Sequence, residues 1–273
     1  MERAPAPGGG EVVRRHRLST RLWHWVNAGA LVVLLMSGLM IFNAHPRLYW
    51  GAYGANADPA WLEIGAAAGR GYLRIGGTEV DTTGVLGVSA RDGRLWAVAF
   101  PGWATIPSGY DLALARRWHL SFAWVLAAGL AAYAAASLVN GHLWRDLAPR
   151  RAELAPRHLW AEVKAHARLD FPAGEAARHY NTLQKLAYLA VLVGLLPAMV
   201  LSGLAMSPAM DAAAPWLLDL FGGRQGARSV HFIVAWLLVG FVVVHLAMVL
   251  LAGPFNEVRS MVTGRYRLPE ARR

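Results

Sequence analysis

Residues 230–252 read VHFIVAWLLVGFVVVHLAMVLLA, an apolar stretch that carries two histidines, His231 and His245. A helix of this length, rising about 1.5 Å per residue, can cross a bilayer core of about 30 Å. Fourteen steps along a helix end about 40° short of four full turns, after a rise of about 21 Å. The sequence therefore predicts a membrane span with two imidazoles on one face at different depths, where ionisable side chains usually have a function.

The spacing of these histidines determines which cofactor they can bind. Imidazoles about 21 Å apart cannot share one metal ion, because ligand atoms lie about 2 Å from the metal. Each can instead ligate its own haem iron, provided that other helices supply the second axial histidine. The stretch thus predicts two haems stacked across a membrane, and two further histidines are required.

The composition is that of an integral membrane protein. Hydrophobic residues make up 56 % of the 273 residues, the mean hydropathy is +0.32, and there are 12 tryptophans. The net charge of +10 comes from residues beside the apolar stretches, so we expect no nucleic-acid partner. The chain has no cysteine, which excludes a cysteine-ligated iron-sulfur cluster, a thioether-linked haem and a disulfide.

The hydropathy pattern predicts four spans, all within one four-span diheme domain at 22–252 that lies between two tails. Five arginines in the first 21 residues predict a cytoplasmic N-terminus, and four spans return the C-terminus to the same side. The predicted segments are a disordered cytoplasmic tail at 1–21, spans at 22–42, 118–139, 183–206 and 230–252, an external loop at 43–117, a cytoplasmic loop at 140–182 and a cytoplasmic tail at 253–273.

The external loop at 43–117 is long for a compact membrane protein, and loops of this length usually have a function. Residues 82–89 and 94–100 flank an Asp92-Gly93 turn signal and are predicted to form a small β-hairpin. We expect the loop to form an external cap that meets a partner. The alternative is a lid that only shields the end of the helices.

Two further local features are predicted in the second half of the chain. Residues 159–169 have helical apolar spacing, which is typical of a helix lying on the membrane surface. Pro197 lies inside the third span and predicts a kink there.

The predicted topology pairs four histidines by depth. His24 opens the first span on the cytoplasmic side, where His245 also lies, whereas His119 opens the second span on the external side beside His231. Each level then has two imidazoles on different helices, as a six-coordinate haem b requires. We predict an all-α membrane protein, a four-helix transmembrane diheme bundle whose long external loop contains a small β-hairpin. His142 is the rival ligand on the cytoplasmic side, and for any single histidine an interfacial position is the alternative.

Arginines near the histidines suit the anionic haem propionates. Arg21, Arg117 and Arg228 lie close in sequence to the predicted ligands, and guanidinium groups bind carboxylates bidentately. Arginines that only reach towards the membrane surface are the alternative. Gly38 follows His24 by fourteen residues and either lets a macrocycle approach or allows close helix packing.

These residues resemble the superfamily of bacterial cytochrome b561 and the cytochrome b subunits of nickel-iron hydrogenases and formate dehydrogenases. The resemblance implies a multi-pass protein of the bacterial inner membrane with two haem b groups, a quinone as exchangeable substrate and an external redox partner. The long loop and residues 222–228 are similar to the thiosulfate reductase cytochrome b-like group, which implies a periplasmic molybdopterin or other redox subunit. The matching residues are RLWHW at 21–25, RWH at 117–119, YNTLQK at 180–185 and the His231/His245 pair.

In the formate dehydrogenase relatives, the residues matching Asn181 and Gln184 lie at a quinone site beside the cytoplasmic haem. Their amide groups are therefore expected to hold a quinone carbonyl in this chain. Leu183 stands where those relatives have glycine, which departs from the pattern. An amide cap at the start of a helix is the alternative role.

The leading functional hypothesis is a diheme cytochrome b that transfers electrons between a periplasmic oxidoreductase subunit and the membrane quinone pool. The alternative is a stand-alone b-type cytochrome oxidoreductase, similar to superoxide oxidases, that reacts directly with a small periplasmic molecule. A third hypothesis is a haem-free membrane anchor or cation transporter. A homo-oligomer is compatible with each of the three.

Overall fold

The computed structural model of the chain describes residues 11–91, 93–170 and 180–268. Four helical segments are long and apolar enough to cross a membrane, so the chain is a mostly helical, multi-pass membrane protein. The α-helices of the described residues are α1 (Leu18–Asn43), α2 (Leu112–Val139), α3 (Pro156–Ala167), α4 (Thr182–Leu189), α5 (Leu196–Ala205), α6 (Pro208–Ala213), α7 (Pro215–Asp219), α8 (Arg224–Ala252) and α9 (Pro254–Thr263). The four candidate spans are α1, α2, the continuous segment Thr182–Ala205 and α8.

The third span is not a regular α-helix throughout. Between α4 and α5 the residues Ala190–Leu195 form a π-helix. Pro197 lies two residues after its end, as the second residue of α5, and proline has no N–H to donate to the carbonyl one turn earlier. Local widening of the helix is a common response to such a gap in the hydrogen-bond ladder. The irregularity therefore lies where the sequence predicts a kink, and it has the form of a π-helix.

The described residues also form eight short strands. Strand β1 pairs with β8, strands β2 to β5 form an antiparallel sheet in chain order, and β6 pairs with β7. The strands are β1 (Val12–Arg14), β2 (Arg47–Leu48), β3 (Leu62–Ala67), β4 (Arg70–Ile75), β5 (Thr78–Asp81), β6 (Val88–Arg91), β7 (Arg94–Ala97) and β8 (Arg265–Arg267).

The chain forms two compact units, each built from separate stretches of sequence. The terminal unit contains the described residues up to Val26, Gly129–Leu196 and those from Leu238 onward. The loop unit contains Asn27–Ala128 and Pro197–Leu237. Each long helix contributes one part of its length to each unit.

The loop unit has an apolar core between its sheet and two helix ends. Leu48, Leu62 and Ile64 of the sheet are buried against Phe42 at the end of α1, and Phe232 of α8 packs on the same cluster. The Phe42 and Phe232 rings are stacked with centroids 4.8 Å apart. The long connection therefore folds onto the ends of α1 and α8.

The four-stranded sheet in this connection was not predicted from the sequence. Its β3–β4 turn uses Ala68 and Gly69, both with positive φ, as a two-residue hairpin turn requires. The β6–β7 pair lies within the segment predicted as a hairpin, but its strands are shorter than residues 82–89 and 94–100. Asp92 of the predicted turn lies outside the described residues.

A buried carboxylate connects three strands of this sheet. Glu63 accepts hydrogen bonds from Arg47 at 2.6 Å, from the Tyr72 hydroxyl at 2.7 Å and from Arg74 at 3.0 Å. Burial alone would raise the pKa of Glu63, but these hydrogen bonds and cations lower it. The carboxylate is therefore ionised at neutral pH and stabilises the sheet.

The terminal unit contains the β1–β8 ribbon, whose register pairs Val13 with Tyr266. The prediction of a disordered tail at 1–21 is therefore wrong for residues 11–21, because β1 gains backbone partners from distant β8 and α1 already begins at Leu18. Residues 1–10 and 269–273 of the two predicted tails lie outside the described residues. The ribbon and α9 give residues 253–268 a defined structure.

The connection at 140–182 contains α3, close to the surface helix predicted at 159–169. The helix begins three residues earlier, at Pro156, and ends two residues earlier, at Ala167. It ends early because Leu169 has a positive φ of 56°, which a right-handed helix cannot continue. Trp160 and Val163 on α3 are exposed, as a helix lying against lipid would have them. Residues 171–179 of this connection lie outside the described residues.

Candidate functional site

The loop unit brings His119 of α2 and His231 of α8 together. Their ring centroids are 6.2 Å apart and the ring planes meet at 63°. Both side chains are partly buried. The two imidazoles are therefore close neighbours on different helices.

A serine holds each of these imidazoles from a neighbouring span. Ser37 Oγ of α1 lies 3.0 Å from His119 Nδ1, and Ser202 Oγ of α5 lies 3.0 Å from His231 Nδ1. Both serines are fully buried. The same contact therefore occurs twice, between different pairs of helices.

The serine contacts fix the tautomer of both histidines. Ser37 Oγ lies 2.6 Å from the Val33 carbonyl and Ser202 Oγ lies 2.6 Å from the Ala198 carbonyl, to which each hydroxyl donates its only proton. Each Oγ can then only accept from the imidazole, so Nδ1 carries the proton. Nε2 is left with a free lone pair, which is what a metal requires.

A glycine next to each serine makes room for the imidazole. A Cβ at Gly38 would lie 3.3 Å from His119 Cε1, and a Cβ at Gly203 would lie 3.3 Å from His231 Cε1. Gly38 therefore lets the His119 ring of α2 approach the backbone of α1, which agrees with the close helix packing given as one alternative in the sequence analysis. The repeated Ser-Gly-Leu at 37–39 and 202–204 was the sequence signal for this arrangement.

The terminal unit brings together the second pair, His24 of α1 and His245 of α8. Their ring centroids are 6.3 Å apart and the planes meet at 60°. Trp25 packs edge-on against His24 at 5.0 Å, and Phe241 stacks on His245 at 5.8 Å. Among the described residues, buried His24 Nδ1 has no hydrogen-bond partner.

Both pairs fit an iron ion between the rings. With bonds of about 2.0 Å and about 1.15 Å from each nitrogen to its ring centre, two imidazoles on one metal have centroids about 6.3 Å apart. The observed 6.2 and 6.3 Å agree with this value. The two sites therefore have the separation that axial ligation requires.

The number of donors at each site favours haem over a bare metal ion. In the ranges that the structure describes, no group of three or more His, Cys, Asp or Glu side chains could hold a metal. A structural zinc site needs four protein ligands and a catalytic one needs three. A porphyrin brings four nitrogens of its own, so a pair of histidines completes the coordination of its iron.

The structure gives Arg21 a different partner from a propionate. Its guanidinium donates to the carbonyls of Met261 and Val262 near the end of α9. Unpaired carbonyls at a helix C-terminus attract a cation, which explains the contact. Arg117 is exposed at the start of α2.

Arg228 is likewise bound by backbone carbonyls, here in the connection between α1 and α2. It donates to the Arg47 carbonyl at 2.8 Å and to the His45 carbonyl, and its guanidinium lies over the Phe42 ring at 5.5 Å. The predicted propionate role rested on closeness in sequence to His231. The observed role is to attach α8 to residues 45–47.

Asn181 and Gln184 form a cap at the start of α4. Asn181 Oδ1 accepts from the Gln184 backbone N–H at 2.9 Å, and Gln184 Oε1 accepts from the Asn181 backbone N–H at 3.2 Å. Asn181 Nδ2 also lies 3.3 Å from His166 Nε2 of α3. This is the alternative role considered in the sequence analysis, and it uses both amide oxygens and the Asn181 amide nitrogen.

His142 is occupied by a local partner. Its Nδ1 lies 2.6 Å from Asp146 Oδ2, and its ring lies edge-on to Tyr133. The side chain is buried. These contacts explain its position without a role as a ligand.

The sequence analysis missed a buried cluster beside the β1–β8 ribbon. His16 Nδ1 lies 3.3 Å from the Tyr180 hydroxyl, and Arg15 lies over the Tyr266 ring at 4.4 Å. Arg15 also pairs with Glu257 at 3.5 Å. The arginine-rich sequence before α1 pointed only to membrane topology and not to these contacts.

We expect His16 to make the protein sensitive to acid. Burial, with a contribution from Arg15, lowers the pKa of His16 from 6.5 to about 4. The unfolded chain then takes up a proton that the folded chain does not, so stability falls as the pH drops from about 6.5 to about 4. The loss is on the order of 3 kcal/mol at most.

The thermal unfolding midpoint in detergent, measured at pH 7.5 and pH 5, tests this expectation. His16→Gln should show a smaller drop at pH 5 than the wild type, whereas His158→Gln on the exposed surface of α3 should behave like the wild type. An equal drop in wild type and His16→Gln would contradict the assignment.

Residues 15–264 match the family described as prokaryotic cytochrome b561. One curated relative, from Azospira oryzae, is provisionally named as a protein-methionine-sulfoxide reductase subunit, YedZ1; it is 28 % identical over 244 residues, which cover 88 % of this chain and 92 % of the relative. No solved structure matches the chain. The family match extends over almost the whole sequence and confirms the resemblance drawn from the histidine motifs. The chain belongs to the prokaryotic cytochrome b561 family and is a membrane electron-transfer protein that binds haem b.

Proposed function

We propose that this protein is a diheme cytochrome b subunit that transfers electrons between an external oxidoreductase subunit and the membrane quinone pool. One haem b is held by His119 and His231, and the other by His24 and His245. The observation that carries the proposal is the pair of ring separations, 6.2 and 6.3 Å. Haem iron supplies reversible one-electron transfer when it is bound at these positions.

The protein's own contribution is to orient the ligands and exclude water. The serine contacts leave Nε2 of His119 and His231 free for iron. Trp25 and Phe241 cover the rings of His24 and His245 with apolar surface. Apolar surroundings of this kind tune a haem potential and keep water from the iron.

We place both termini in the cytoplasm of a bacterium whose inner membrane holds the four spans. Arginine is concentrated before α1, and basic residues on short connections mark the cytoplasmic side. His24 and His245 are then the cytoplasmic pair, and His119 and His231 are the external pair. The connection between α1 and α2 is external in this orientation.

The external connection supports the docking of a redox partner. Tyr53 is 89 % exposed and Trp103 is 81 % exposed, both in the loop unit. Exposed aromatic residues are typical of surfaces that bind another protein. The name of the Azospira oryzae relative supports a partner that reduces methionine sulfoxide in proteins. A molybdopterin or another redox centre in that partner would exchange electrons with the external pair.

An apolar groove in the terminal unit supports exchange of electrons with quinone. It lies beside Trp25, which contacts the His24 ring, so a quinone ring in the groove would lie one side chain away from the cytoplasmic pair. The capping role of Asn181 and Gln184 makes this groove the better candidate. Its lining residues are Leu18, Arg21, Leu22, Trp25, Met261 and Val262.

Haem counting and quinol reduction of the purified chain test the proposal. We expect two haem b per polypeptide, and reduction of both by a quinol without any added protein. A matched sample of the Trp25→Ala variant should keep both haems but react more slowly with quinol. One haem or none in the wild type would contradict the diheme assignment, and no reduction by any quinol would contradict the quinone link.

The stand-alone cytochrome remains the second candidate, and purification from native membranes distinguishes the two. The main proposal expects an external oxidoreductase subunit to co-purify with the chain. A chain recovered alone that fully oxidises a small external reductant would favour the second candidate.

A further inference from the structure

His24 differs from His119 and His231 in how its Nδ1 atom is bonded. In the loop unit, Nδ1 of both His119 and His231 meets a serine hydroxyl at 3.0 Å. In the terminal unit, His24 Nδ1 is buried without a hydrogen-bond partner among the described residues. The effect of this difference on the reduction potentials of the two haems rests on the proposed function.

A hydrogen bond at Nδ1 changes the electron density at Nε2 of the same ring. When Nδ1–H donates to an oxygen, the imidazole becomes a stronger donor to the metal, as outer partners of ligating histidines generally bring about. A stronger donor favours the more highly charged ferric ion and so lowers the reduction potential. An unpartnered Nδ1–H gives a weaker donor and a higher potential.

The contact also fixes the rotation of each ring. Each serine is anchored to its own helix by the carbonyl four residues earlier, at 2.6 Å for both. The neighbouring glycine brings the helix backbone within reach of the ring edge, where a Cβ would lie at 3.3 Å. Two independent helices therefore hold the two rings at the observed interplanar angle of 63°.

We propose that Ser37 and Ser202 are positioning residues that lower the reduction potential of the haem held by His119 and His231 relative to the haem held by His24 and His245. They act through the Nδ1–H of the two ligands and do not touch the iron. The gradient between the two haems is then built into the Ser-Gly-Leu sequences of α1 and α5.

Spectroelectrochemical titration of Ser37→Ala, Ser202→Ala and the double variant tests this proposal. The midpoint potential that is lost in His231→Ala belongs to the haem held by His119 and His231. We expect it to be the lower of the two midpoint potentials of the wild type. In the double variant, the preference of this haem for the ferric state should fall about tenfold. That change raises its midpoint potential by about 59 mV for a one-electron couple. Each single variant should give about half of that shift, and the other midpoint should not move.

Ser260→Ala is the matched control, because this buried serine on α9 bonds only the carbonyl of Glu257 on its own helix. It should leave both midpoints unchanged. Absence of a shift in both single variants, a shift of the other midpoint instead, or an equal shift in the control would overturn the proposal.

Threonine variants separate tuning from loss of structure. If an alanine variant binds only one haem, Ser37→Thr or Ser202→Thr, which keeps the hydroxyl, should restore the second haem at its original potential. A restored haem with a raised potential would overturn the proposal. Fewer than two haems in the wild type would instead overturn the proposed function, so the two failures are distinguishable.

Discussion

The His231→Ala variant should bind one haem b per chain, where the wild type binds two. Removal of the His231 imidazole would leave His119 as the sole protein ligand at this site, and the small alanine leaves a gap beside it. Loss of one of the two histidines removes half of the protein's bonds to the iron. We therefore expect a larger loss of haem affinity than the roughly 10- to 100-fold loss of metal affinity that follows removal of an outer partner. The pyridine haemochrome absorbance per polypeptide measures the outcome directly.

Matched variants show which histidines matter. His24→Ala should remove the other haem and leave the one held by His119 and His231. His142→Ala should keep both haems, because His142 already binds Asp146. Two haems in His231→Ala, or the loss of a haem in His142→Ala with His24→Ala unaffected, would refute the assignment of the pairs.

The second large effect is expected from Arg228→Met. This change keeps most of the apolar stem of the side chain but removes the two donors to the carbonyls of His45 and Arg47. The His45 carbonyl keeps its hydrogen bond from the Arg47 backbone N–H at 2.8 Å, so the cost comes from the Arg47 carbonyl. Leaving one partly buried acceptor unsatisfied costs roughly 1 to 3 kcal/mol. We expect a lower unfolding midpoint and faster proteolysis of the connection between α1 and α2.

Arg224 provides the control for this substitution. It lies one turn earlier on the same helix and pairs with Asp211 at 2.9 Å, with both side chains substantially exposed. An exposed ion pair contributes about 0 to 1 kcal/mol, so Arg224→Met should change the midpoint little. Equal effects of the two substitutions would show that Arg228 does not attach α8 to the external segment.

The spans and the histidine pairs could be predicted because they depend on local periodicity. The spacing of His231 and His245 on one helix follows from helix geometry alone, and the depth of His24 and His119 follows from the ends of their spans. The structure brings both predicted pairs together within the two units. A pattern repeated along one helix needs no knowledge of the rest of the fold.

The partners of polar side chains could not be predicted in the same way. Arg21 and Arg228 bind backbone carbonyls of segments far away in sequence, and nothing near them in the sequence indicates those carbonyls. The four-stranded sheet depends on pairing between short strands such as β3 and β4, whose alternation of apolar residues is weak. Ser37 lies in a Ser-Gly-Leu sequence that recurs at 202–204, yet only the packing of α1 on α2 shows that its hydroxyl reaches His119.

Trp61 connects the four-stranded sheet to the helix that carries His231. Its Nε1 donates to the Oγ of Ser229 at 2.9 Å, and Ser229 lies in α8 two residues before His231. The Ser229 hydroxyl in turn donates to the Tyr49 carbonyl at 2.6 Å. Exchanging the segment at 43–117 between family members therefore also changes what supports the beginning of α8. A working chimera needs both pieces from the same parent.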